Sequence, residues 1–86
     1  MSNKKEDDSI DVLFKKGVES STKGSFKEAI EYYDKVLEIN QRLPEVLYNK
    51  GLNLHKLGHY QEAILCYDRA LKTNPKDVDV IHSILV

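Results

Sequence analysis

The side chains of this chain that could do chemistry are few, and His55 and His59, four positions apart, are the first to weigh. On one continuous helix that spacing puts two imidazoles on the same face, where a third ligand would complete a zinc site. Gly58 stands between them and predicts a helix end before His59, and no third ligand lies nearby in sequence. The pair therefore reads as a surface His55 and a helix-start His59. Cys66 is the single cysteine, so it cannot close an internal disulfide. The pattern around it demands no cation to lower its pKa for nucleophilic work. No Gly-rich phosphate loop and no nucleophile–base pair at a recognisable spacing is present. The expectation is a non-catalytic chain with no cofactor and no metal.

The totals point the same way. With 86 residues the chain is one small domain, near the lower limit for burying a core without disulfides or metal. Charged residues make up 31% with a formal net charge of -1, so both signs are interspersed and no long-range field would recruit nucleic acid or an anionic membrane. The polar start, Met1 to Ser9, lacks the apolar centre of a signal peptide, and no run approaches a membrane span. A soluble, cytoplasmic protein is expected, and the lone cysteine is compatible with a reducing compartment.

The elements that must position these side chains are set by a repeat. The stretch from Gly24 to Asn40, GSFKEAIEYYDKVLEIN, returns 34 residues later from Gly58 to Asn74 as GHYQEAILCYDRALKTN. Glycine, Glu, Ala, Ile, Tyr, Asp, Leu and Asn recur in place, so a structural unit is duplicated. Residues 1–9 read as a flexible polar tail, with Asp8 or Ser9 capping a first helix from Ile10 to Thr22. Lys23-Gly24 ends it, and Ser25-Phe-Lys-Glu28 reads as a capping box opening a second helix to about Asn40. Phe26, Ala29, Ile30, Tyr33, Val36 and Leu37 form its apolar stripe. Pro44 suits the first turn of a third helix to about residue 57. A fourth, about 60–73, repeats the stripe as Tyr60, Ala63, Ile64, Tyr67, Ala70 and Leu71 until Asn74-Pro75 stops it. Asp77 offers the cap of a fifth segment, 78–86. Short connections make neighbouring helices antiparallel. Gly17 and Gly51 sit where the helices of each unit cross, with Ala29 and Ala63 expected to face them.

A 34-residue unit of two antiparallel helices resembles the tetratricopeptide repeat. In residues 44–77 its pattern places hold Leu47, Lys50-Gly51, Leu54, Ala63-x-x-x-Tyr67 and Pro75; in residues 10–43 they hold Leu13, Lys16-Gly17, Ser20, Ala29-x-x-x-Tyr33 and Gln41, without the tyrosine and the final proline. The resemblance implies an all-α, right-handed superhelical solenoid of about five helices, with two full repeats and a C-terminal half-repeat or capping helix at 78–86. It also implies a protein-interaction scaffold whose first helices line a concave groove for a peptide or protein segment. By alignment the groove-facing places include Phe14, Val18, Tyr48, Asn49, Leu52 and His55. Helical spacing adds that Phe14/Val18 and Tyr48/Leu52 are i, i+4 pairs beside the buried stripe.

One subgroup of the family holds the C-terminal carboxylate of heat-shock chaperones with Lys, Asn, Asn, Lys and Arg. The matching places here are Phe14, Val18, Asn49, Asp79 and Ser83, which keep one donor and set an acid against the carboxylate. That ligand is not expected. The alternative is a self-assembling module with no separate ligand: arrays of this kind close with a polar outer face, whereas the C-terminal segment carries Ile81, Ile84, Leu85 and Val86, which could meet the same segment of a second molecule in a homodimer.

Overall fold

The computed structural model describes residues 2–73, with side chains from residue 10 onward. Four helices follow one another: α1 (Ser2–Thr22), α2 (Phe26–Ile39), α3 (Pro44–Lys56) and α4 (Tyr60–Thr73). Each packs on its neighbours in sequence, α1 on α2, α2 on α3 and α3 on α4. Cross-helix pairs show the antiparallel run. Near the first turn the Ser20 hydroxyl donates to Glu28 Oε1 at 3.0 Å, and farther along the rings of Phe14 and Tyr33 lie 5.9 Å apart. Between units, Lys56 Nζ sits 5.4 Å from the centre of the Phe26 ring and Lys50 Nζ lies 2.6 Å from Asp34 Oδ1. The chain is therefore an all-α solenoid of antiparallel helix pairs. The half-repeat expected at 78–86, with Ile81, Ile84, Leu85 and Val86, lies outside the described residues.

Both pairs are closed by the same turn. Gly24 and Gly58 have φ of +86° and +85°. Their amides donate to Ser21 and His55 carbonyls at 3.0 Å, while the following amides, of Ser25 and His59, donate to Ser20 and Leu54 carbonyls at 2.8 Å. This double bond pattern is a Schellman motif, which satisfies the last carbonyls of the first helix and turns the chain back. It also corrects the expected capping box: the Ser25 amide is already taken by the Ser20 carbonyl, Ser25 makes no side-chain cap bond, and Glu28 receives the Ser20 hydroxyl instead.

The first helix differs from expectation at its start. It begins at Ser2 rather than Ile10, so the stretch read as a polar tail enters the helix and Asp8 and Ser9 lie within it. No glycine or proline interrupts Ser2–Ser9, and extending an existing helix lacks the entropic cost of nucleating one. Elsewhere the bounds follow the sequence signals, with Pro44 opening α3.

The core is one cluster running through both units: Ala29, Tyr33, Val36 and Leu37 of α2, Val46, Leu47 and Leu54 of α3, and Ala63, Cys66, Tyr67 and Ala70 of α4. At its centre, a tyrosine ring lies against a glycine backbone twice over. A Cβ on Gly17 would stand 2.6 Å from Tyr33 Cε1, and one on Gly51 would stand 2.6 Å from Tyr67 Cε1. The nearest atoms to each glycine are thus those of a tyrosine ring, while Ala29 and Ala63, expected to face the glycines, are buried one turn earlier on the same helices. The sheer size of the ring makes hydrogen the only side chain that fits. A second correction concerns the stripe of α4. Tyr60 and Ile64 are 58% and 49% exposed, although their counterparts Phe26 and Ile30 are half-buried. α3 packs on α2, and no described helix performs that service for α4.

Alanine at Gly17 or Gly51 should destabilise the fold by about 1–3 kcal/mol through overpacking, even though alanine gains about 1 kcal/mol in helix propensity. Urea unfolding of each variant, with Gly51→Ala combined with Tyr67→Leu as the relief case, checks this. Partial recovery in the double variant is expected, because leucine removes the ring that the methyl meets.

Candidate functional site

The six residues expected on the first-helix face fall into three settings. Phe14 and Tyr48 are half-buried, and each tilts against the core tyrosine of its own unit, with centroids 5.9 Å apart and planes at 45° and 46°. They are partly scaffold, since each ring covers the tyrosine that its glycine admits. Val18 is 39% exposed, and Asn49 and Leu52 are half-buried. His55 is exposed, its ring set edge-on to Tyr60 at 5.1 Å. It belongs to the turn end of the second unit and not to the level of Val18. His59 lies beyond the end of α3, with Nδ1 3.7 Å from Glu62 Oε1. Among the described residues no three His, Cys, Asp or Glu side chains converge as a metal site would require. No described helix is long and apolar enough to cross a membrane.

What ties α1 to α3 is a polar cluster that sequence reasoning missed. Asn53 is 2% exposed. It accepts from the Ser21 hydroxyl at 2.9 Å and donates to the Asn49 carbonyl at 2.7 Å. One amide thus joins α1 and α3, and no buried side-chain donor or acceptor among the described residues is left without a partner. Two antiparallel steps make α1 and α3 parallel, so one turn back from the Ser21–Asn53 bond sets Val18 level with Asn49. The signal in the sequence was an asparagine inside the apolar run Gly51-Leu-Asn-Leu54. Such a residue must be satisfied when buried, and it marks a contact between units.

Burial also sets the titration of the core. It pushes the Tyr33 phenol above its ordinary 10.0, against a smaller opposing effect of the neighbouring Asn53 amide. It raises Tyr67 likewise, with Tyr48 and Cys66 adding to it. The Cys66 thiol is pushed above 9.0 by burial, partly offset by Lys50 and Arg69. A buried thiol held protonated is a poor nucleophile. These acids lose their protons first in the unfolded chain, so their contribution to stability is complete below the unfolded values and is lost as pH rises through the folded ones.

These contacts make two expectations measurable. Asn53→Leu should cost about 1–3 kcal/mol by stranding the Ser21 hydroxyl, and adding Ser21→Ala should recover part of it; urea midpoints of the two single variants and the double decide. Stability should also begin to fall near the ordinary thiol value of 9.0 and fall faster above 10.0. Cys66→Ala should delay the onset in unfolding measured across alkaline pH.

Comparison with known proteins fits this geometry. The family model described as tetratricopeptide repeat matches residues 44–77, and a second, described as TPR repeat, matches residues 22–58. Comparison with curated protein sequences gives no match. Among solved structures, MamA 41-end from Desulfovibrio magneticus RS-1 is 27% identical with a TM-score of 0.85, covering 90% of this chain and 44% of that one. A double mutant of MamA RS-1 is 26% identical with the same TM-score of 0.85, covering 90% of this chain and 43% of that one. The chain thus spans less than half the length of these relatives. The matched family is generally a non-catalytic repeat fold for protein–protein interaction. With two ring-on-glycine helix pairs, Schellman turns at a 34-residue interval and two overlapping family matches running from residue 22 to 77, this chain belongs to the tetratricopeptide repeat family.

Proposed function

We propose that the chain binds a peptide or protein segment along the face that α1 and α3 share, through Phe14, Val18, Tyr48, Asn49, Leu52 and His55. The observation that carries this reading is the Ser21–Asn53 bond of 2.9 Å, which fixes the two first helices against each other. A surface held in one arrangement before binding loses less entropy on binding. Val18 is substantially exposed for an apolar side chain on it, and Leu52 and Asn49 are partly open beside it. Apolar contacts supported by the Asn49 amide suit an extended or helical segment of mixed sequence. The exposed charges at the groove-facing places of these helices, Asp11, Lys15, Glu45 and Lys56, are of both signs and favour no strongly charged ligand.

A second reading rests on its own observation. Tyr60, Ile64 and Leu65 leave an apolar surface on α4 with exposures of 58%, 49% and 62%. Contiguous apolar surface of this kind marks an association site more often than a bare solvent face. In this reading the C-terminal segment with Ile81, Ile84, Leu85 and Val86 pairs with its copy in a second molecule, and the scaffold is a homodimer.

Selection of binders from displayed random peptides, followed by titration of one winner, tests the first reading. Val18→Glu and Leu52→Glu should each weaken it at least about tenfold, since burying one such side chain contributes about 1.5–3 kcal/mol. Ile64→Glu should leave it unchanged. Winners that ignore both α1 and α3 variants would remove the groove reading. Sedimentation over a wide concentration range tests the second: a dimer abolished by Leu85→Asp supports it, and a persistent monomer excludes it.

A further inference from the structure

Away from the α1–α3 face, an open cavity of about 200 Å³ is lined by Gln41, Arg42, Leu47, Arg69, Lys72 and Thr73. Three of its six lining residues are cations and none is an acid. In a chain of net charge -1 that is an unusual concentration of one sign. Among the described residues neither ion pair involves Arg42, Arg69 or Lys72, and all three are exposed. The backbone of two of them is tied. The Arg42 amide donates to Asn40 Oδ1 at 2.9 Å, which shapes the loop between α2 and α3. The Thr73 hydroxyl donates to the Arg69 carbonyl at 2.9 Å, and buried Leu47 supplies an apolar wall.

The repeat supplies a control within the molecule. Shifting the cavity back by the 34-residue period gives Asp7, Asp8, Leu13, Lys35, Glu38 and Ile39. The apolar wall residue is kept as Leu13, so it belongs to the scaffold. Lys35 keeps the charge of Arg69. Arg42 and Lys72, by contrast, fall 34 residues after the acids Asp8 and Glu38, and Gln41 after a third acid, Asp7; residues 7 and 8 lie in α1 ahead of the first unit, whereas 41 and 42 lie in the loop before α3. The scaffold therefore does not require this cluster. Lys72 in the last turn of α4 would alone complement the helix dipole, but Arg42 in a loop and Arg69 a turn earlier have no such role. Three like charges around one concavity repel one another, and an oxyanion seated among them reverses that repulsion. Two guanidinium groups add planar, two-pronged donors matched to phosphate oxygens, and the Gln41 amide adds a neutral donor.

We propose that this cavity is a binding site for a phosphate-type oxyanion. The site is distinct from the face assigned to peptides and stands or falls separately from it. The anion could be free phosphate or a phosphorylated side chain of a protein, and both share the chemistry the cluster recognises.

The test is a titration of the full chain with inorganic phosphate at constant ionic strength, followed by amide chemical shifts, with chloride as the matched control. Saturable shifts confined to residues 41–42, 47 and 69–73 are expected. Arg42→Gln and Arg69→Gln should each weaken binding by about tenfold, and Lys27→Gln on exposed α2 surface should not. Circular dichroism of each variant confirms that the helices persist, which is expected for exposed positions. A second arm compares a phosphoserine peptide of otherwise uncharged residues with its unphosphorylated twin. Tighter binding of the phosphopeptide than of inorganic phosphate supports the site with a protein-borne ligand; equal binding supports it with the free ion. Absence of saturable shifts, equal shifts in chloride, or shifts that survive Arg42→Gln and Arg69→Gln together would overturn the assignment.

Discussion

A tyrosine ring pressed onto a bare stretch of helix backbone is the contact on which this fold depends. Tyr33 lies on Gly17 and Tyr67 on Gly51 with the same spacing in both units. The ring brings a large apolar surface into a chain too short to have many, and the glycine lets the two helices approach closely enough to bury it. Everything nearby conforms to that approach. Ala29 and Ala63 are buried one turn before the tyrosines, Phe14 and Tyr48 tilt over the rings from the first helices, and the positive-φ glycines return the chain in time for the tyrosines to arrive.

Repetition of that contact explains how one short chain separates building from recognition. The second helices carry the shared pattern and supply most of the core, while the first helices bear the side chains that differ between units. Contact between units is partly polar, through Asn53 and the Lys50–Asp34 pair. Lys50 is the more sheltered partner and Asp34 is half exposed, so the pair adds orientation more than stability. Asn53 is different because it is enclosed, and a satisfied amide in a dry site accepts few alternative placements of its neighbours.

Much of this was legible in the residues, for physical reasons. A 34-residue period, glycines before each second helix and Pro44 at the start of α3 act locally, so they announce helix ends without knowledge of the fold. Contacts between elements were harder to read. Nothing local told that the Tyr33 ring would be the nearest neighbour of Gly17, because that depends on the register between two helices. The Ser25–Glu28 capping box had the right spacing, but its amide donor was consumed by the turn before it, and the carboxylate found Ser20. Asn53 was visible only as an oddity in an apolar run. On the candidate face, alignment placed Phe14 and Tyr48, while their half-burial against the tyrosines depends on packing that alignment does not encode.

The buried position of the lone cysteine gives the molecule an internal reporter. Cys66 sits among core residues of α4, 5% exposed, and burial keeps its sulfur protonated. An alkylating reagent in solution reaches it when α4 opens, because the closed core shields the sulfur and disfavours its thiolate. The rate of labelling in the native protein therefore measures the opening equilibrium of the second unit by itself, on a single unaltered residue. Any ligand that binds only the closed array would slow that reaction in proportion to its occupancy, whichever face it occupies.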